Sequence, residues 1–139
     1  MNTTSINRAR EIATECHAGQ TRKDGVTPYI VHPAKVAEIV ETLGGGEAEI
    51  VVAWLHDTVE DTGMTQARLA ELFGPEIAEA VQALTHEEGE EYLHAVRRAK
   101  AHPVARLVKM ADNLANLSDT PSSKQVAKYT ASLIELLTP

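Results

Sequence analysis

Apolar residues recur along this chain at intervals of three and four, the spacing of one helical face, and nowhere alternate long enough for a strand. Ile6, Ala9, Ile12, Ala13 and Cys16 predict a first helix from just after Ser5 to about Ala18, stopped by Gly19. Pro33 suits the first turn of a second, carried by Val36, Ala37, Ile39, Val40 and Leu43 and ended by Gly44-Gly45-Gly46. A third starts near Glu47, runs through the apolar stretch Ile50 to Leu55 and continues to deliver His56, Asp57, Glu60 and Asp61. After the turn Asp61-Thr62-Gly63, Thr65 caps a short helix that ends at Phe73-Gly74, and Pro75 opens another carrying Ile77, Ala78, Val81 and Leu84. Residues 86–102 are polar, with a weaker helical pattern in Tyr92, Ala95, Val96 and Ala99. Pro103 separates them from a long apolar helix that reaches Asp112. Beyond the turn Ser118-Asp119-Thr120-Pro121, a last helix carries Val126, Tyr129, Leu133, Ile134 and Leu137. The expectation is an all-α fold, one domain over residues 1–139, bundling about seven to eight helices.

Composition agrees with helices. Aromatic residues make up only 4% of the chain, which disfavours sheet, while Ala, Leu, Val and Glu are abundant. The net charge of −7 argues against general binding to nucleic acid or an anionic membrane. A single cysteine, Cys16, excludes an intrachain disulfide and any zinc site built on several thiolates, so a reducing, cytoplasmic setting is expected. No segment has the length of a membrane span, and the N-terminus lacks a signal-peptide pattern.

The chemistry gathers where the apolar third helix ends, at His56-Asp57-Thr58-Val59-Glu60-Asp61. On a helix continuing past Leu55, His56, Asp57, Glu60 and Asp61 fall within an arc of roughly 140°. Four ionisable groups beside a core-forming segment are costly to bury without partners. A bound cation or a polar cleft resolves that conflict; so does a last turn that frays into solvent. His32 and Asp112 also sit beside apolar runs. With His56 and Asp57 they would offer two nitrogen and two carboxylate ligands, a set suited to Mn²⁺, Fe²⁺, Co²⁺ or Zn²⁺ and poor for Ca²⁺. Lys109, Asp112 and Asn116 lie within about 60° of one another on a helix, so Lys109 could instead neutralise Asp112. Glu60 and Asp61 would then be spare carboxylates, fit for general base or acid work. Arg22-Lys23, in a loop with two glycines, suits phosphate capture, or is a solvated turn. Tyr29 could stack on a base or cover the core. His17 would line or orient the same loop. His86, His94 and His102 are expected at the surface, and the Glu87-Glu88-Gly89-Glu90-Glu91 run as a solvated face or a barrier to anions.

Taken together, the stretches HAGQTRKDGVTPYIVHP (17–33), VVAWLHDTVEDT (51–62), the Phe73-Gly74 pair and VKMADNLANL (108–117) resemble the HD-domain phosphohydrolases, named for an adjacent His-Asp pair, here His56-Asp57. Within that superfamily the likeness is to the hydrolase domain of Rel/Spo-type alarmone enzymes and their small single-domain relatives. The resemblance implies a helical HD-domain bundle with Mn²⁺ held by His32, His56, Asp57 and Asp112. It also implies that Glu60 and Asp61 position or activate the attacking water. Arg22 and Lys23 would meet the pyrophosphate or nucleobase side of the substrate, and Tyr29, Lys109 and Asn116 would complete the nucleotide pocket. The implied reaction is metal-dependent removal of the 3′-pyrophosphate from guanosine 3′,5′-bis(diphosphate), with a small nucleotide as substrate, no nucleic acid or membrane as partner, and the oligomeric state open. The chain departs from the usual pattern at Asn113, where the family commonly has Arg, at Ser118-Asp119, and in the acidic stretch from His86 to Pro103, and no synthetase or regulatory domain is expected within these residues. Those departures keep two other outcomes in view: another nucleotide or phosphomonoester phosphohydrolase on the same scaffold, or a silent nucleotide-binding module.

Overall fold

The computed structural model describes residues 3–139. Among them are nine α-helices: α1 (Thr3–Cys16), α2 (Val31–Thr42), α3 (Glu47–Leu55), α4 (Thr58–Asp61), α5 (Gln66–Phe73), α6 (Pro75–Leu84), α7 (Tyr92–Lys100), α8 (Pro103–Leu117) and α9 (Ser123–Leu137). No strand forms among the described residues, and a single antiparallel bridge joins Thr21 to Pro28. The ninth helix arises because the third element of the sequence pattern does not run on. It stops at Leu55, and a separate single turn, α4, begins at Thr58.

Local sequence accounts for the boundaries. Gly44 ends α2 in the left-handed region, with φ at 83°, where a side chain is strained. A Cβ on Gly45 would lie 2.5 Å from Val40 Cγ1 and 3.1 Å from Leu107 Cδ2, so only glycine lets this turn pass between α2 and α8. Thr65 Oγ1 accepts from the Arg68 amide to cap α5, and Pro75 and Pro103 each open a helix. Ser122 and Gln125 bond reciprocally at the start of α9. The polar stretch after His86 does form a helix, α7, with Val96 and Ala99 on its buried side.

The bundle is built around α3, which contacts α1, α2, α6 and α8. Ile50, Val51, Val52, Ala53 and Leu55 are all buried, so this helix is apolar nearly all round, as a central element must be. Its core continues through Val36 and Val40 of α2, Val81 of α6 and Val108 of α8. Leu55, the last residue of α3, is fully buried directly before His56. Leu55→Ala is expected to cost about 2–5 kcal/mol of stability, seen as a lower urea midpoint at unchanged m-value. No helix of the described residues is long and apolar enough to cross a membrane.

Candidate active site

The break after α3 shapes the site. The His56 ring Nδ1 lies 2.6 Å from the Ala53 carbonyl, and the Thr58 hydroxyl donates to the Leu55 carbonyl at 2.8 Å. These short side-chain bonds engage carbonyls that a continuing helix offers to residues four positions on, and such bonds compete with the helical ladder. Asp57 sits in the turn with φ −102° and ψ 0°. The four residues expected on one helical face are therefore divided. His56 and Asp57 occupy the turn, while Glu60 and Asp61 ride on α4.

The turn meets two other elements. His32, buried at the start of α2, has its Nε2 2.9 Å from Asp112 Oδ1 and 3.8 Å from Asp57 Oδ2. His56 Nε2 lies 3.0 Å from Asp57 Oδ2 and 3.6 Å from Asp112 Oδ1. Ligand atoms of His32, His56 and Asp57 all fall within 4.8 Å of one another, and so do those of Asp57, Glu60 and Asp61. Four residues from α2, the α3–α4 turn and α8, separated by up to 80 positions, thus meet at one point.

Electrostatics test whether a cation fits there. His56 Nδ1, donating to the Ala53 carbonyl, leaves Nε2 as a lone pair, and that atom is buried without a hydrogen-bond partner. Burial opposes a charge on this ring, yet Asp57 and Asp112 outweigh it and drive the imidazole toward its protonated form, well above its ordinary pKa. Asp57 is depressed despite burial because His56 faces it, and Asp112 is depressed despite burial by Lys109 and the two imidazoles. The cluster thus draws in positive charge, and a divalent cation would supply it in place of a proton. The His/Asp cluster could hold a divalent metal.

The surroundings orient these groups. Tyr29 donates its hydroxyl to Asp57 Oδ2 at 2.6 Å, and burial followed by the Asp57 charge keeps that hydroxyl protonated. Its ring packs on His17 and His32, with the Arg22 guanidinium 5.5 Å from its centre. Tyr29 is thus tied to a candidate ligand, a contact the sequence did not announce. Tyr29→Phe is expected to weaken divalent-ion binding by about 10–100-fold, measurable by calorimetric titration with Mn²⁺. His17 is 2% exposed, its Nδ1 2.8 Å from Gln20 Oε1; Gln20 in turn donates to the Asp61 carbonyl. That histidine orients the loop, one of the two outcomes expected of it.

Lys109 Nζ lies 3.2 Å from Asp112 Oδ2, and Asn116 Nδ2 lies 3.4 Å from Oδ1. Lys109 does neutralise Asp112, as the helical spacing allowed, but through the oxygen away from the imidazoles. Burial works against the ammonium, and Asp112 more than compensates, so Lys109 stays charged. The loop after α1 closes as a turn in which Asp24 accepts from the amides of Val26 and Thr27. Lys23 stays exposed on its tip. Arg22 reaches back to α8 and pairs with Asp119 at 3.1 Å, close to Asn116.

Arg22, Lys23, Tyr29, Lys109, Asn116 and Asp119 line one cavity of about 860 Å³ together with the His/Asp cluster, Glu60 and Asp61. Partial desolvation, then the charges of Asp57 and Glu60, raises the Asp61 carboxyl above its ordinary value. The same cavity has a cationic wall, with Lys128 beside Tyr92 and Tyr129, that the sequence reading missed. Lys128 Nζ lies 4.4 Å from the Tyr92 ring centre and 5.6 Å from that of Tyr129, and Lys109 Nζ lies 5.3 Å from Tyr92. Partial burial, then repulsion from Lys109 and Lys23, lowers the Lys128 pKa. The helical pattern marks Tyr92 and Tyr129 only as positions on a helix face; both are half-buried aromatics with polar tips, suited to a pocket wall. Of the three histidines expected at the surface, His86 and His94 are exposed, whereas His102 is half-buried and caps α8 through the Ala105 amide. Glu90 leaves the solvated run altogether: its side chain is only 5% exposed and is held by Arg98.

A sequence model of the HD domain matches residues 9–133, nearly the whole chain. The chain belongs to the HD-domain family. This HD domain is 37% identical to a probable GTP pyrophosphokinase of Mycobacterium leprae, over 99% of this chain and 19% of the relative. It is 36% identical to a guanosine-3′,5′-bis(diphosphate) 3′-pyrophosphohydrolase of Aquifex aeolicus, over 90% of this chain and 20% of the relative. It spans about a fifth of the length of these curated relatives. Its fold is similar to that of a solved metazoan ortholog of SpoT, a protein described as hydrolysing ppGpp and acting in starvation responses. The TM-score is 0.83 at 27% identity, covering 99% of this chain and 87% of the other. A second solved structure, from Listeria monocytogenes, gives a TM-score of 0.66 at 26% identity, covering 81% of this HD domain and 84% of that chain.

Proposed function

We propose that this HD domain, taken as one catalytic unit over residues 1–139, is a metal-dependent hydrolase that removes the 3′-pyrophosphate from guanosine 3′,5′-bis(diphosphate). The observation that carries the reading is one cavity lined both by a cation-seeking His/Asp cluster with two spare carboxylates and by Arg22, Lys23, Lys109 and Lys128. The similarity to named ppGpp hydrolases supports the choice of nucleotide. The acidic net charge and the absence of a membrane-spanning helix among the described residues fit a cytoplasmic enzyme acting on a small nucleotide rather than on nucleic acid.

His32, His56, Asp57 and Asp112 would hold the ion; two nitrogen and two carboxylate donors suit Mn²⁺, Fe²⁺, Co²⁺ or Zn²⁺, and the resemblance to Rel/Spo-type hydrolases favours Mn²⁺ among them. When bound, such an ion polarises a phosphoryl oxygen and lowers the pKa of water. The chain's own groups supply the rest. Lys109, Lys128, Arg22 and Lys23 would receive the two diphosphates, and Tyr29 and Asn116 would border the nucleoside. Glu60 would take the proton of the attacking water as the water's oxygen bonds to phosphorus. The bond from phosphorus to the ribose 3′-oxygen then breaks. Asp61, whose carboxyl holds its proton more tightly than usual, would donate to that oxygen. The products are pyrophosphate and guanosine 5′-diphosphate.

One observation favours a second reading. Asp119 occupies the Arg22 guanidinium that the substrate would need, which suits a less anionic phosphomonoester. A substrate panel with purified protein decides between them. Mn²⁺-dependent release of pyrophosphate and guanosine 5′-diphosphate in equal amounts, abolished by chelation and restored by Mn²⁺, is the expected result. Turnover of monophosphates alone would select the second reading, and binding without any product from metal-loaded protein would leave a silent module.

A further inference from the structure

The loop between α6 and α7 touches the proposed base. The backbone N–H of His86 donates to Glu60 Oε1 at 2.6 Å. That N–H and the Thr85 carbonyl belong to one peptide unit, which is planar and rigid. The Thr85 oxygen accepts from Arg98 Nη2 at 2.7 Å. The same guanidinium grips Glu90 with two parallel bonds of 2.7 Å and reaches the Gln82 carbonyl at 3.1 Å. Glu90 in turn accepts from the Glu87 amide, so both ends of the loop are tied to one side chain.

We propose that Arg98 is a positioning residue for Glu60, acting through the Thr85–His86 peptide plane. The guanidinium fixes the tilt of that plane from its oxygen end, and the amide at the other end fixes the Glu60 carboxylate where it meets the cavity. A cation on the oxygen also polarises the peptide, which strengthens its N–H as a donor to the carboxylate. Arg98 touches neither the cavity's His/Asp cluster nor Glu60 itself. Only a planar fork can hold Glu90 by two bonds and still reach Thr85, so lysine is no substitute. The Arg98 bond holds the Glu90 carboxyl far below its ordinary range, which marks the pair as firmly ionised.

The inference rests on the base role given to Glu60 above, and the experiment separates the two. Arg98→Lys and Arg98→Met are compared with Arg97→Gln, a neighbour on the same helix whose partner is Glu135 on α9. Glu90→Gln provides a milder variant in case Arg98→Met folds poorly. The first readout needs no substrate: the His86 amide proton should exchange faster and shift upfield in both Arg98 variants and stay unchanged in Arg97→Gln. The second is kcat per folded molecule on guanosine 3′,5′-bis(diphosphate). It should fall about 10–100-fold in the Arg98 variants, with KM and bound Mn²⁺ near wild type, as expected when a reacting group is displaced by about an ångström. An unmoved His86 amide in Arg98→Met would overturn the proposal. So would wild-type kcat, or a loss matched by Arg97→Gln. A wild-type protein inert toward the nucleotide would overturn the base role while the amide measurement still decided the Arg98 linkage.

Discussion

Asp57→Ala and Asp112→Ala proteins are each expected to lose bound divalent metal and to show no turnover above background. Each replacement removes a carboxylate oxygen that approaches both imidazoles. The cluster's pull on a cation comes from those two charges, since the histidines contribute only lone pairs. The two variants should differ in stability. Without Asp112, Lys109 is left with its ammonium largely buried and no counter-charge, a loss worth about 3–5 kcal/mol for a broken buried pair. Without Asp57, the main orphan is the Tyr29 hydroxyl, so the fold should suffer less. Metal analysis after dialysis, thermal melting and the pyrophosphate assay give the three readouts. Full metal content in Asp57→Ala, with activity retained, would remove the cluster from the mechanism.

Why the cluster could be read in advance while its surroundings could not is a matter of range. The glycines at 44–46 and the prolines at 75 and 103 punctuate the chain by local backbone geometry, so the helices they bound follow from a few neighbouring residues. His32, His56, Asp57 and Asp112 stand out because each is a charged or ligating group interrupting an apolar run, where only a partner makes burial tolerable. The break at Asp57 was hidden because a helical wheel assumes that the backbone continues. What ends it is a pair of side-chain bonds, to the carbonyls of Ala53 and Leu55, that periodicity does not record. The Arg98–Glu90 pair and the Lys128 wall lie further out of reach. In sequence they are unremarkable charges on polar helices, and only the packing of α6, α7, α8 and α9 brings Glu90 and Lys128 to the same cavity. Asn113 belongs with them. Where the family commonly carries arginine, the buried amide accepts from Ser132 and donates to the Tyr92 hydroxyl, tying α7, α8 and α9 together without a charge.

Glu60→Gln should separate holding the metal from using the water. Glu60 sits one helical turn beyond Asp57 and makes no contact with either imidazole among the described residues, so the variant should bind Mn²⁺ as wild type does. Its amide oxygen can still accept from the His86 N–H, so the loop between α6 and α7 keeps its anchor. What disappears is a group able to take a proton, and a positioned general base contributes about 10²–10⁴-fold. The expected result is a kcat lower by that factor at unchanged metal content and little changed KM, because a group used only in the transition state is lost from kcat. Asp61→Asn provides the contrast. Asp61 carries the raised pKa and is cast as the donor, so its loss should hurt most where the leaving oxygen is least able to depart without a proton. A nucleotide analogue with an electron-poor leaving group at that position should therefore recover rate in Asp61→Asn and not in Glu60→Gln. Recovery in the reverse sense would exchange the two roles, with Asp61 taking the water's proton and Glu60 supplying the other.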